Sequence, residues 1–229
     1  MHPNAPAPQP PDATGPIAEL PLFPLSTVLF PGGMLDLQIF EVRYLDMIGK
    51  CHKNGTPFGV VALRKGSEVR RVDTHATGAE GFAPEHFADV GTLATVTEFS
   101  APQAGLMVVR CQGGARFRIR TRNQRKYGLW VADADTLGGD QSTPVPPDLL
   151  PLADALARVL EQQRVNGPPQ ATAPLPFHLD DCGWVANRWC DLLAMPLDAK
   201  QNLMQLDNPL LRLELVGDML GKHIHAVGR

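Results

Sequence analysis

Met34-Leu-Asp-Leu-Gln-Ile39 alternates apolar and polar residues, and the residues that follow, Phe40-Glu-Val-Arg-Tyr-Leu-Asp-Met-Ile-Gly-Lys-Cys51, do not. Alternation is the period of a strand with one face buried. In the second run Phe40, Tyr44, Met47, Ile48 and Cys51 recur at helical spacing, and Asn54-Gly55 supplies a stop. A strand that passes directly into an amphipathic helix makes the start of the chain mixed α and β. Upstream, Leu20-Pro-Leu-Phe-Pro-Leu25 is apolar, and Thr27-Val-Leu-Phe-Pro31 before Gly32-Gly33 predicts a short strand ending in a turn.

Downstream, Phe58-Gly-Val-Val-Ala-Leu63 predicts a buried strand, while residues 64–89 have no period and predict a long excursion or an edge hairpin. Strands are expected over 91–99, 106–111 and 116–122, with Gly113-Gly114 turning the last two into a hairpin, and another over 127–137. Gly138-Gly-Asp-Gln-Ser-Thr-Pro-Val-Pro-Pro147 then interrupts the pattern, and helical spacing takes over. Leu149, Leu152, Leu156 and Leu160 mark one helix, ended by Asn166-Gly167. Val185, Trp189 and Leu192 mark a second, capped by Asp180 or Asp181. Asp198 can cap a third, and Asn208-Pro209 opens a last helix with Leu213, Val216 and Leu220 on one face and Gly221 as its C-cap. The expected fold is α+β: a mainly antiparallel sheet or open barrel with one helix over residues 18–141, then a helical bundle over 142–225. Residues 1–17, rich in Pro and Ala, are expected to be a disordered tail.

The chain has 229 residues, 44% of them hydrophobic and 20% charged, an ordinary globular composition. A net charge of −3 offers no basic field for a polyphosphate, so nucleic acid is not an expected partner. No apolar run approaches the roughly 18 residues of a membrane span, and the N-terminus lacks the basic and apolar regions of a secretory signal, so neither membrane nor export is expected. The four cysteines, Cys51, Cys111, Cys182 and Cys190, form no Cys-x-x-Cys pair and predict reduced thiols in a cytoplasmic protein.

Several separated stretches, in order, resemble one family. Leu20-Pro-Leu-Phe-Pro-Leu25, Val28-Leu-Phe-Pro-Gly32, Ile39-Phe-Glu-Val-Arg-Tyr44 and Phe58-Gly-Val-Val61 are similar to the substrate-binding N-terminal domain of Lon-type ATP-dependent proteases. Val90-Gly-Thr-Leu-Ala-Thr-Val96, Gly114-Ala-Arg-Phe-Arg-Ile119 and the stretch from Asp207 to Leu220 continue the resemblance, which spans about residues 18–222. It implies a non-enzymatic module that binds unfolded or disordered protein segments, working with a protease or ATPase partner. The phosphate loop Gly-x-x-x-x-Gly-Lys-Ser/Thr of a full Lon protease is missing from this sequence, and none of Ser26, Ser67, Ser100 and Ser142 sits in a Gly-x-Ser-x-Gly elbow. No ATPase or peptidase activity, cofactor or catalytic residue is therefore expected.

Candidate peptide-binding residues fall in three groups. Phe23, Leu29, Phe30 and Met34 supply more apolar surface than one strand face can bury; they form either core or an exposed patch for unfolded chain. Arg116, Arg118, Arg120 and Arg122 alternate and share a strand face opposite Phe117 and Ile119. That face either clamps an acidic peptide or is a solvated surface paired with Glu98, Asp133 and Asp135. Trp184, near a helix start, is an aromatic anchor or core, whereas Trp189 is expected in the helix core. His52, His75, His86, His178, His223 and His225 have spacings that fit no metal ligand set. Two other readings stand beside recognition: a small-molecule or catalytic site in the crevice between the subdomains, and a subunit whose apolar surface is an oligomer interface.

Overall fold

The computed structural model describes residues 15–65, 85–167 and 175–227. The proposed tail therefore lies outside them except at its end, where Pro16 and Ile17 already belong to the first strand. His75 also lies outside.

The first strand, β1, is Pro16–Leu25, earlier than the Thr27–Pro31 strand expected from sequence. Thr27 to Phe30 instead form an irregular connection whose Val28, Leu29 and Phe30 are all buried. β2, Met34–Ile39, keeps its alternation: Leu35 and Leu37 pack toward the core and Ile39 is within it, while Asp36 and Gln38 are exposed. The helix α1, Val42–Asn54, buries Tyr44, Met47, Ile48 and Cys51, the residues the spacing selected. Phe40 does not share that face; it precedes the helix and is 56% exposed.

β3 (Phe58–Lys65), the two-residue β4 (His86–Phe87), β5 (Val90–Gln103), β6 (Leu106–Gln124) and β7 (Trp130–Thr136) follow. β6 is one strand of 19 residues where two and a hairpin were expected. Gly113 lies inside it, because there the chain must pass close to other backbone rather than reverse. A Cβ at Gly113 would collide with the Phe30 carbonyl oxygen, and the Gly113 amide donates to Gly33 O at 2.8 Å. The reversal comes later, at a tight 3-10 turn over Lys126–Gly128.

β1 pairs parallel with β3 and antiparallel with β7, so the order β1-β7-β6-β5-β3 returns to β1 and the sheet closes on itself. β4 adds to β3, and β2 adds to the first half of β6. Closure removes edges from the barrel strands but not from β2, which pairs with β6 alone among the described residues. Phe117, Leu20, Leu22 and Val61 pack in one barrel cluster; Phe23, Phe58, Tyr44, Ile48 and Val109 pack in another, under α1.

Four helices follow: α2 (Leu150–Asn166), α3 (Cys182–Leu192), α4 (Leu197–Gln205) and α5 (Pro209–Val227). Asp181 caps α3 by accepting from the Trp184 amide at 2.8 Å, and Asn208 Oδ1 accepts from the Leu211 amide at 3.1 Å at the start of α5. Asp198 lies within the first turn of α4 rather than capping it, and α5 runs through Gly221 instead of ending there. Leu156, Leu160, Val185, Leu213 and Val216 form a core that also takes in Phe30, Ala62 and Val90 from the β side.

Candidate functional site

Three of the four apolar candidates are core, which corrects the exposed-patch reading for them. Phe23 stacks on Tyr44 with ring centroids 3.9 Å apart, tying β1 to α1. Leu29 packs in the same cluster, and Phe30 is fully buried against the helices. A side chain held between layers cannot meet another protein without unfolding. Met34 is half-buried at the start of β2.

The arginine stripe is divided. Arg118, Arg120 and Arg122 are exposed; Arg120 faces Asp135 at 3.4 Å and Arg122 reaches Asp89. Arg116 is only 4% exposed, because the connection between α4 and α5 covers it. Its Nη1 donates to the Met204 and Leu206 carbonyls at 3.0 and 3.1 Å, and its Nη2 donates to Asp207 at 3.0 Å. Arg116 is thus a tie between barrel and helices and not part of an open basic rim.

That tie belongs to a network in the crevice between sheet and helices. Arg212 of α5 is 1% exposed and holds Asp140 with both terminal nitrogens, at 2.5 and 3.0 Å. It also donates to Leu203 O at 3.0 Å, to Asn187 Oδ1 at 3.1 Å and to Leu206 O. Asp140 lies 3.6 Å from Arg116, so one carboxylate serves two guanidinium groups from opposite sides of the crevice. Bidentate, buried pairs of this kind have fixed geometry.

A cavity of about 250 Å³ opens beside the network, lined by Pro31, Gly32, Arg116, Asp140, Trp184 and Asn187 among others. Trp184 is half-exposed, 5.8 Å from Phe177, and Arg188 lies over its ring at 5.8 Å. Behind Gly32, Arg188 donates to Asp191 at 2.8 Å and to Pro31 O at 3.1 Å. Gly32 has φ +72°, and a Cβ there would sit 2.9 Å from Arg188 Nη1, so both backbone and space require glycine. Arg116 and Arg212 donate to carbonyls and acids of the chain itself, whereas Arg188 Nη1, behind Gly32, is buried without a hydrogen-bond partner.

The thiols are equally occupied. All four cysteines are free and buried; burial pushes the Cys111 and Cys190 thiols up to about 12 and raises those of Cys51 and Cys182. A thiol held protonated is a packing group and a poor nucleophile. Among the described residues no cluster of His, Cys, Asp and Glu is placed to hold a metal ion. Nor is any described helix long and apolar enough to cross a membrane.

The surface that sequence reading missed lies on the barrel side. Phe40 is 56% exposed, Val42 72% and Tyr127 68%. Val42 adjoins Arg43, Tyr127 adjoins Gly128, and Arg43 Nη1 donates to the Gly128 carbonyl at 3.1 Å, which holds the start of α1 against the β6–β7 turn. Arg43 is anchored further by Glu41 at 2.8 Å and Glu85 at 2.9 Å, and Glu85 accepts from Trp130 Nε1 at 2.6 Å. Tyr127 has φ +65°, a left-handed conformation that costs a non-glycine residue about 1–2 kcal/mol. Strain at an exposed aromatic is a feature of functional surfaces. Phe40 continues the spacing of the α1 face yet precedes the helix, Val42 is the first residue of α1, and Tyr127 sits in the 3-10 turn, so no period marks any of them as exposed.

A closed barrel with a capping helix, followed by a helical bundle that is tied back to it through buried arginines, defines a class of protein domain. The chain belongs to the family of the ATP-dependent protease La (LON) substrate-binding domain, whose model matches residues 19–222. Among solved structures it is similar to the Lon N-terminal domain protein from Xanthomonas campestris, at 30% identity and TM-score 0.64, over 87% of this chain and 97% of that one. It shares the fold of the N-terminal domain of Mycobacterium avium complex Lon protease, at 12% identity and TM-score 0.52, over 90% of this chain and 99% of that one. No curated protein matches the sequence.

Proposed function

We propose that this chain is a non-enzymatic recognition module that binds unfolded or disordered segments of other proteins and presents them to a protease or ATPase partner. The observation that carries the reading is family membership across residues 19–222, since the family is that of a substrate-binding domain. Exposed Phe40, Val42 and Tyr127 support it: large apolar side chains left in water on a rigid barrel gain free energy when they meet apolar residues of an unfolded chain. Affinity should be modest, because ordering a flexible client opposes binding. The buried, protonated thiols fit a reducing cytoplasm. The crevice fits a small-molecule site less well, because the Arg116 and Arg212 guanidinium groups that border it are already committed to Asp140, Asp207 and main-chain carbonyls.

Fluorescence anisotropy with labelled α-lactalbumin tests the reading. The reduced, carboxymethylated form, which cannot fold, is expected to bind, and the native form is not. Equal binding of both forms, or of neither, refutes it.

A further inference from the structure

β2 is an edge strand without the usual protections. Strands at sheet edges carry rows of unpaired main-chain groups, and proteins blunt them with lysine, proline, bulges or covering segments. Met34–Ile39 contains neither Lys nor Pro, and its register with β6 runs from Met34↔Gln112 to Ile39↔Met107 without a shift. Its one charge, Asp36, is turned to Arg110 of β6 at 3.1 Å. Among the described residues no strand pairs with its other side.

The direction of the unpaired groups follows from one bond. Gly113 N donates to Gly33 O at 2.8 Å, and Gly33 lies opposite Gly113 in the register that the β2–β6 pairs continue. In an antiparallel ladder, residues that bond across to the partner alternate with residues whose N–H and C=O point away from it. Leu35, Leu37 and Ile39 therefore bond into β6, and Met34, Asp36 and Gln38 turn their amides and carbonyls outward. Beyond the last of these the chain leaves Phe40 and Val42 exposed.

We propose that an extended segment of a client polypeptide adds to this edge as a further strand, hydrogen-bonding to Met34, Asp36 and Gln38 and placing an apolar side chain against Phe40 and Val42. The occupant is set by the site: outward amides and carbonyls at every second residue match an extended main chain of about six residues. Recognition through main chain is nearly indifferent to client sequence, and the apolar pair adds a preference for segments that a folded protein would bury. The inference rests on the recognition reading above.

The test uses the full chain and labelled, reduced, carboxymethylated α-lactalbumin. Gln38→Pro removes an outward amide without touching the ladder to β6, and Phe40→Asp with Val42→Asp removes the apolar contact. Each is expected to weaken binding about tenfold or more, while Val165→Asp, at an exposed position near the end of α2, leaves it unchanged. Amide exchange read by NMR supplies a second readout that does not depend on any variant. At probe saturation the Asp36 and Gln38 amides are expected to slow at least tenfold, with Leu35 and Leu37 unaffected. If wild type binds the probe but these amides and affinities do not change, the edge is not the site and only this inference fails. If wild type does not bind at all, the recognition reading fails with it. Protection of Asp36 and Gln38 in the probe-free protein, together with a dimer in sedimentation, would assign the edge to a second copy and overturn the client proposal.

Discussion

Replacing Arg212 by methionine removes the centre of the network that ties the helices to the barrel. The guanidinium is 1% exposed and bonds Asp140 through two nitrogens as well as Leu203 O, Leu206 O and Asn187 Oδ1. Methionine fills much of the volume, so lost packing contributes little. The cost is the stranded acceptors, chiefly Asp140, whose side chain is 17% exposed and keeps only Arg116 at 3.6 Å. Breaking one side of a buried ion pair costs about 3–5 kcal/mol. For a chain of this size each kcal/mol lowers Tm by about 2–4 °C, so the expected fall is roughly 6–20 °C. Urea unfolding followed by tryptophan fluorescence reads both halves, since Trp130 is in the barrel and Trp184 and Trp189 are in α3. The companion variant Asp140→Asn should also destabilise, and the double variant should lose about 1–3 kcal/mol less than the two single losses added together. A cost under about 1 kcal/mol for Arg212→Met, or strict additivity in the cycle, would refute the claim that these groups act as one buried unit.

Gly113→Ala should cost about 1–3 kcal/mol because its Cβ meets the Phe30 carbonyl, whereas Gly138→Ala, with nothing within 4 Å, should stay within about 0.5 kcal/mol; urea midpoints compare them. Tyr127→Asn should stabilise by about 0.5–1 kcal/mol, since asparagine accepts the left-handed conformation more readily, and a lowered Tm would contradict the strain. Burial raises the Cys111 and Cys190 thiols in the folded state, so the unfolded chain ionises first. Their contribution is complete below the unfolded thiol range and fades as pH rises toward about 12. Between about pH 9 and 10 the two should together remove roughly 2 kcal/mol, a loss absent from the Cys111→Ala/Cys190→Ala variant.

Patterns that depend on one element were legible in the sequence. The alternation of β2 and the helical spacing of Tyr44, Met47, Ile48 and Cys51 each report a single face buried against one layer, and both elements form there. Gly113-Gly114 was misread because glycine serves both a turn and a close backbone approach, and Phe30, which decides between them, is 83 residues away in a connection with no period of its own. Arg116 shows the same limit: alternation places it with Arg118 and Arg120, but Leu206 and Asp207 cover it from a connection some 90 residues later. Phe23, Leu29 and Phe30 are apolar for the reason most such residues are, because layers meet on both sides of them. Phe40 was misread because it continues the spacing of the α1 face from a position before the helix begins, and Val42 was missed because exposure at a helix start leaves no periodic trace.

On the proposed function, this chain grips other polypeptides through apolar surface and leaves them chemically unchanged. Calorimetric titration of reduced, carboxymethylated α-lactalbumin into the chain at several temperatures and two salt concentrations reads both properties together. The expected result is a negative heat-capacity change and affinity that survives about 0.5 M NaCl, with the probe's mass unaltered afterward. Binding that collapses in salt without a heat-capacity change would move recognition to Arg118, Arg120 and Arg122, and a cleaved or modified probe would make the chain an enzyme and not a recognition module.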